Sequence, residues 1–458
     1  MERFDAIIIG TGQAGPSLAD RLNDEGQRVA IIERGLVGGT CVNVGCVPTK
    51  ALVASARVAH VAGRAAEFGI NLGAPFSVDM KKVKARKDEI SGSSNRGLTA
   101  WLEGLDHVTL IRGHARFEGP KTIRVEDRVL AADKIFLNVG GRAFVPPIPG
   151  IEDVDVMTNV EMMALDTLPE HLVIVGGSYI SLEFAQMYRR FGSQVTVVEM
   201  SERIIPREDE DVSQTIREIL EGEGVRFENC SQVSRIEATA GGFIAHLEQS
   251  DGELSLAGSH LLMAVGRKPN TDDLGLDTAG VELDPRGYVV VDDQLQTTVA
   301  GIWALGDCNG QGAFTHTSYN DFEIVAANLF DDDPRRVSDR IMCYGLFTDP
   351  PLGRVGMTEQ QARESGRKVL MGKRLMANVG RARERSETAG FIKVLVDADT
   401  KQVLGAAILG INGDEVVHIL LDIMYARAPY TVIQRAMHIH PTVAELIPTV
   451  LGDLEPLQ

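Results

Sequence analysis

One design occurs twice in this chain. Asp5-Ala6-Ile7-Ile8-Ile9-Gly10 reads as a buried strand running into the turn Gly10-Thr11-Gly12-Gln13-Ala14-Gly15. A helical stretch follows to about Gly26, then a second strand, Val29-Ala30-Ile31-Ile32, ending at Glu33. The pattern returns with the strand Leu172-Val173-Ile174-Val175 and the turn Gly176-Gly177-Ser178-Tyr179-Ile180-Ser181. A helix then runs to about Gly192, and a strand Val195-Thr196-Val197-Val198 ends at Glu199. The spacing from Gly15 to Glu33 equals that from Ser181 to Glu199. Two βαβ units of equal internal spacing imply two nucleotide-binding domains of α/β class, each a Rossmann-like fold.

The chemistry of the first turn follows from its glycines. Gly10 permits the tight turn, Gly12 lets backbone approach a pyrophosphate, and Gly15 lets helix and strand pack closely. The helix N-terminus then faces the phosphates, and Glu33 can bond a ribose hydroxyl. In the second turn Ser178 and Ser181 replace the second and third glycines, so close packing survives with less freedom at the phosphate. Glu199 at the strand end suits a free ribose 2′-hydroxyl and repels a 2′-phosphate, which points to NADH. Arg203 and Arg207 nearby would favour NADPH instead.

The rest of the 458 residues fits around these units. Phe76 to Trp101 is polar and Lys-rich with helical character. Val145-Pro146-Pro147-Ile148-Pro149-Gly150 reads as a linker, because successive prolines stop both helix and central strand. The chain is expected to break again around Gly266-Arg267-Lys268-Pro269-Asn270, and Ile302 to Ala304 to form a short strand leading into Gly306-Asp307. From about Asp339, strands (Phe391 to Val396, Val403 to Leu409) alternate with an amphipathic helix (Glu415 to Ala426), which predicts a third, α+β domain. The expected division is 1–147 and 269–338 for the first nucleotide domain, 148–268 for the second and 339–458 for the last.

Charge and hydropathy narrow the function classes. Asp plus Glu number 64 against 46 Lys plus Arg, a net charge of −18. That balance argues against a broad nucleic-acid surface and against adsorption to anionic lipid. No apolar run approaches the roughly 18 residues of a membrane span. The N-terminus enters a strand at once and lacks the pattern of a secretory signal, so a cytoplasmic protein is expected.

Of five cysteines, only two lie close together, in Gly38-Gly39-Thr40-Cys41-Val42-Asn43-Val44-Gly45-Cys46-Val47-Pro48-Thr49-Lys50. In a reducing compartment such a pair does chemistry or binds metal more often than it staples a fold. Zinc would require two further ligands, and Cys230, Cys308 and Cys343 are isolated, so no metal site is expected. Pro48 opens an apparent helix (Ala51 to Ala62), which places Cys46 at its N-terminus, where the dipole favours thiolate.

With these motifs the chain resembles, over essentially its whole length, the class I pyridine nucleotide-disulfide oxidoreductases, which include glutathione reductase, dihydrolipoamide dehydrogenase and mercuric reductase. The resemblance implies that the first turn binds FAD, the second NAD(P)H, and that the third domain forms a homodimer interface. It implies that Cys46 is the thiol next to the flavin and Cys41 the interchange thiol that attacks substrate. Lys50 corresponds to the lysine near flavin N5, Glu183 to its carboxylate partner, Tyr179 to the aromatic lid displaced by nicotinamide, and Asp307 to the acid bonding the ribityl chain. Ala115 corresponds to a backbone contact to adenine, and Gly39, Thr40, Gly141, Gly176, Gly177 and Gly266 join the cofactor-binding set. His440-Pro441-Thr442-Val443-Ala444-Glu445 is similar to the family's C-terminal acid-base motif, in which the histidine serves the other subunit's cysteines and the carboxylate raises its basicity.

The implied substrate is a small disulfide, metal ion or oxidant. Gly39 to Lys50 reads closest to mercuric reductases, but Gly452 to Gln458 carries no thiol pair to pass metal inward. Pro206 to Asp209 and Pro350 to Thr358 resemble the bacterial mercuric-reductase-like flavoproteins, some of which reduce reactive chlorine species, hypothiocyanous acid or copper. Dihydrolipoamide stays open given Glu199. A flavoprotein acting as a redox sensor through a partner is the alternative of another class.

Overall fold

Ala6, Ile7 and Ile8 are completely buried, because the strand Ala6–Ile9 lies at the centre of a parallel sheet covered on both faces. In the computed structural model, which describes residues 1–74, 76–250 and 252–457, this sheet has five strands. Their order is Ile302–Ala304, Lys134–Leu137, Ala6–Ile9, Val29–Glu33, Val108–Arg112, and all neighbours are parallel. Alternate residues serve opposite faces. Ala6 and Ile8 pack with Leu18 and Leu22 of the helix Ala14–Asp24, while Ile7 and Ile9 pack with Phe117 and Ile123 on the other side. Burying each of these isoleucine, leucine and phenylalanine side chains contributes about 1.5–3 kcal/mol.

The second βαβ unit builds a sheet of the same form. Val156–Met157, His260–Met263, His171–Val175, Gln194–Val198 and Arg226–Glu228 lie in that order, all parallel, and the motif strand is again central. The third domain is a six-stranded antiparallel sheet running Cys343–Leu346, Leu352–Gly356, Val403–Leu409, Phe391–Asp397, Val369–Leu375, Glu455–Pro456.

Three local expectations need correction. The chain does not break at Gly266 to Asn270: Arg267–Pro269 is a short strand antiparallel to Gly141–Ala143. Only two strands form this ribbon, so Pro269 sits on an edge, where a missing N–H is tolerated. The helix expected from Ala51 starts at Cys46 and runs to Gly63, since Pro48 in a first turn lacks only a donor that would have no partner there. The helix expected over Glu415 to Ala426 is divided into Gly413–Val416 and His418–Tyr425. The Lys-rich segment forms the helix Met80–Glu103, with the Asp79 carboxylate accepting from the Lys82 amide at its start.

The three domains meet along the helix Tyr179–Phe191. Its Leu182 and Phe184 share one core with Leu52 and Ala56 of the cysteine helix and with Leu346, Leu352 and Leu409 of the third domain. Its polar stripe Glu183, Gln186 and Arg190, spaced i, i+3, i+7 on one face, holds a single loop. Glu183 accepts the Phe347 amide at 3.0 Å, Gln186 bonds both backbone groups of Asp349 at 2.7 and 2.8 Å, and Arg190 bonds its carboxylate at 2.6 Å. Arg57 of the cysteine helix reaches the same carboxylate at 2.5 Å. Among the described residues no helix is long and apolar enough to cross a membrane.

Candidate active site

The two nucleotide turns repeat down to single hydrogen bonds. Glu33 accepts from the amides of Thr11 at 3.0 Å and Gly35 at 2.7 Å. Glu199 accepts from Gly177 at 2.6 Å and Ser201 at 2.7 Å, the same two relative positions. Gly10 and Gly176 have φ of +101° and +104°, and a Cβ would lie 2.3 Å from the Asn138 carbonyl oxygen in one and 2.6 Å from that of Ala264 in the other. Both glycines are therefore demanded by packing as well as by dihedral. Neither N-cap, Gln13 or Ser178, bonds its helix through its side chain. The amides of Gly12, Gln13 and Ala14, and those of Ser178, Tyr179 and Ile180, donate to nothing among the described residues. Free amides at a helix start with a carboxylate at the next strand end fit a nucleotide pyrophosphate and ribose.

Gly39 and Thr40 begin the short helix Gly39–Asn43 that carries Cys41, and the Thr11 hydroxyl accepts the Gly38 amide at 3.1 Å, tying this segment to the first turn. Both thiols are free, Cys46 exposed and Cys41 partly buried. Cys46 is the first residue of its helix, and its sulfur lies 3.1 Å from the Thr315 hydroxyl. The neighbouring Cys41 thiol, then Thr315 and the charge of Lys50, outweigh the partial desolvation of the sulfur and bring the Cys46 thiol down to about 6. The proximity of Cys46, with burial, pushes the Cys41 thiol up. The two thiols are thus pushed in opposite directions, which favours thiolate at Cys46 over Cys41.

One helical turn further on, Lys50 Nζ donates to Glu183 at 2.6 Å and sits 4.3 Å from the centroid of the Phe347 ring. Three domains converge on this ammonium group. Tyr179 opens its helix, and its hydroxyl donates to the buried Glu208 at 3.1 Å. Asp307 is partly buried in the 3-10 turn after Ile302–Ala304. Burial pushes its carboxyl up, and Arg267, 3.9 Å away, partly offsets this. The Gly141 carbonyl accepts from the Arg267 guanidinium, Gly266 leads into that strand, and Ala115 begins the strand Ala115–Gly119 on the other side of the first sheet.

His440 lies at the far end of the third domain with its side chain 81% exposed, its Nδ1 3.0 Å from both Glu445 oxygens. An Nδ1 proton given to Glu445 leaves Nε2 as a base. No hydrogen bond among the described residues joins this pair to Cys41 or Cys46.

Several residues at the site carried no sequence signal. Asn138 is buried and ties the first turn to the Leu305 carbonyl, donating there at 3.1 Å while accepting from Gly15 at 3.1 Å. Thr315, Phe347 and Tyr344 lie in no recognisable motif, and Glu208 lies in the stretch Pro206 to Asp209, whose resemblance gave it no role. The acidic group Asp209, Asp211 and Glu359 encloses Lys393 Nζ, at 2.9, 2.6 and 2.5 Å, so a lysine fills the place a cation would take.

Residues 4–321 match the pyridine nucleotide-disulphide oxidoreductase family and residues 342–451 its dimerisation domain, and the chain belongs to that family. It is 36% identical over 453 residues to the probable pyridine nucleotide-disulfide oxidoreductase RclA of Escherichia coli (strain K12), covering 97% of this chain and 98% of that one. A mercuric reductase of Bacillus cereus is 32% identical over 91% of this chain and 66% of its own length. Among solved structures, the Cu(II) complex of the HOCl-induced flavoprotein disulfide reductase RclA from Escherichia coli superposes with a TM-score of 0.90, at 35% identity over 99% of both chains. The protein is therefore an FAD-dependent NAD(P)H oxidoreductase acting on a disulfide or oxidant, with a C-terminal dimerisation domain.

Proposed function

We propose that the chain is an NADH-dependent reductase in which Cys41 and Cys46 form the working disulfide. The supporting observation is the grouping of Cys46, Thr315, Lys50 and Glu183 at one helix start, with a thiol lowered to about 6. In this reading Gly10, Gly12, Gly15, Glu33, Gly39, Thr40, Ala115, Gly141 and Asp307 hold FAD, with Lys50 and Glu183 at its reactive edge. Gly176, Gly177, Tyr179, Glu199 and Gly266 hold the nicotinamide nucleotide. Bound FAD supplies the two-electron relay between the nicotinamide and the disulfide. The Lys50 charge favours added electron density nearby, and Glu183 keeps that lysine fixed. The domain division at 147/148, 268/269 and 338/339 belongs to the same proposal, as do a homodimer and a reducing, cytoplasmic setting.

Reduction of a disulfide substrate then balances as follows. The Cys41 thiol passes its proton to Nε2 of His440 of a second copy, oriented by Glu445, as its sulfur attacks one substrate sulfur; a mixed disulfide forms, and the departing thiolate takes that proton back from His440. Cys46 thiolate next attacks the Cys41 sulfur, which closes the Cys41–Cys46 disulfide and releases the second half of the substrate as a thiolate that takes a proton from water. A two-electron oxidant such as hypochlorite takes the same two electrons from the dithiol in one step, and Cu(II), the ion bound in the superposed RclA structure, takes them as two ions, each reduced to Cu(I).

Anaerobic NADH titration followed by a panel of small disulfides, hypochlorite-type oxidants, Cu(II) and Hg(II) tests this. Stoichiometric reoxidation by one class with steady turnover is expected. A reduced protein that no member of the panel reoxidises favours the redox-sensor alternative.

A further inference from the structure

The Tyr179 hydroxyl shares its acceptor. Glu208 Oε1 takes 3.1 Å from Tyr179 and a shorter 2.6 Å bond from Tyr344. The two rings meet at 5.5 Å, tilted by 58°, and Tyr344 stacks in turn on Phe314 at 5.4 Å and 8°. Phe314 precedes Thr315, the residue that meets Cys46. Behind the carboxylate lies Arg354, directly opposite Tyr344 on the neighbouring strand. The side chains of Arg354 and Glu208 are 1% and 0% exposed, with Nε 3.7 Å from Glu208 Oε2. Arg354 Nη1 bonds Asp209 at 3.0 Å, whereas Glu208 Oε2 and Arg354 Nε and Nη2 are buried with no hydrogen-bond partner. A buried carboxylate and guanidinium thus keep unused bonding capacity just beyond hydrogen-bond reach of each other.

We propose that Glu208, steadied by Tyr344 and backed by Arg354, latches the Tyr179 ring closed, and that the incoming nicotinamide must break the Tyr179–Glu208 bond. This rests on the reading of Tyr179 as the ring that covers the flavin. When Tyr179 leaves, Oε1 keeps the Tyr344 bond and a small shift lets Oε2 close on Arg354 Nε. The carboxylate is never stranded, so opening costs about one net hydrogen bond rather than the far larger penalty of a bare buried charge. A bias towards the closed ring raises the apparent dissociation constant of the nucleotide and leaves the chemical step alone. Glu208, Tyr344 and Arg354 are positioning residues: the second domain supplies the ring and its acceptor, and the third domain sets how tightly they hold.

The test is anaerobic stopped-flow reduction of the holoenzyme flavin against NADH concentration, in the wild type, Tyr179→Phe, Glu208→Gln, the double variant and Tyr179→Ala. Tyr179→Phe keeps the ring and every buried charge but removes the latch. It is expected to lower the apparent dissociation constant about fivefold, the worth of one net hydrogen bond, with a far smaller change in limiting rate. Glu208→Gln should shift it the same way, and the double variant should match Tyr179→Phe alone. An unchanged dissociation constant in Tyr179→Phe, or additive effects in the double variant, overturns the latch. If Glu208→Gln fails to fold, Tyr179→Phe decides alone. Should Tyr179→Ala leave the flavin absorbance and the NADH dependence as in the wild type, the lid reading itself falls. Should Tyr179→Ala alter them while Tyr179→Phe does not, only the latch falls.

Discussion

The Cys46 sulfur lies 3.1 Å from the hydroxyl of Thr315, and this contact joins the cysteine segment to a helix that no sequence motif marks. The Thr315 hydroxyl, after the Cys41 thiol, is one of the groups that hold Cys46 near 6. Thiolate is present above that value and lost below it. A hydrogen bond to a charged group contributes about 1.5–3 kcal/mol, and about 1.4 kcal/mol is a tenfold change. In the reduced enzyme, Thr315→Val is expected to move the thiolate midpoint upward by about one pH unit. The long-wavelength thiolate–flavin absorbance, followed from pH 5 to 9, reads this directly, and an unmoved midpoint removes Thr315 from the account.

The two cysteines should separate by spectrum. Cys41→Ser keeps a thiolate at Cys46 and should show the long-wavelength band while losing disulfide turnover. Cys46→Ser should lose the band. The opposite result exchanges their roles.

Glu199 does two things at once. It ends the second motif strand, and it ties the amides of Gly177 and Ser201. NADH should therefore give the higher kcat/KM. Glu199→Ala should narrow the gap to NADPH while weakening both nucleotides, because the turn loses its tether. A variant that gains NADPH activity with no loss for NADH would show that the tether is dispensable, and a wild type that prefers NADPH would point to Arg203 or Arg207.

His440 and Cys41 should complement between subunits. Mixing inactive His440→Ala and Cys41→Ser protomers under subunit exchange should restore activity, since some dimers then hold one intact site. Proven heterodimers without activity would place the acid-base group elsewhere.

Lys393 has a side chain only 1% exposed, among Asp209, Asp211 and Glu359. Lys393→Met leaves these carboxylates without their central cation and should cost about 3–5 kcal/mol, measured by denaturant unfolding. Burial pushes Asp209 and Asp211 up, but Arg354 and Lys393 at the first, and Lys373 and Lys393 at the second, more than offset it and hold both below the ordinary aspartate value. For a depressed carboxyl the stabilisation is complete above the unfolded value of about 3.9 and fades as pH falls below it. The wild type should therefore lose this contribution only in acid. Equal acid sensitivity in Lys393→Met would show that the lysine is not its source.

Features that depend on local spacing were legible in the chain. The glycines at 10, 12 and 15, the acids at 33 and 199 and the four-residue gap between Cys41 and Cys46 can be read from neighbours in the chain, whereas the pairing of His440 with Glu445 came with the family resemblance. Backbone dihedrals and strand–turn–helix lengths act over a few residues, so the two βαβ units and the third domain were legible. Contacts between distant segments were not. Thr315 beside Cys46, Phe347 over Lys50, Asn138 behind the first turn, and Tyr344 with Arg354 around Glu208 each join segments more than a hundred residues apart. Such pairs are fixed by how the domains pack, and packing depends on the summed shape and burial of whole faces. A lone threonine, phenylalanine or arginine in the sequence carries no mark of the partner it will meet.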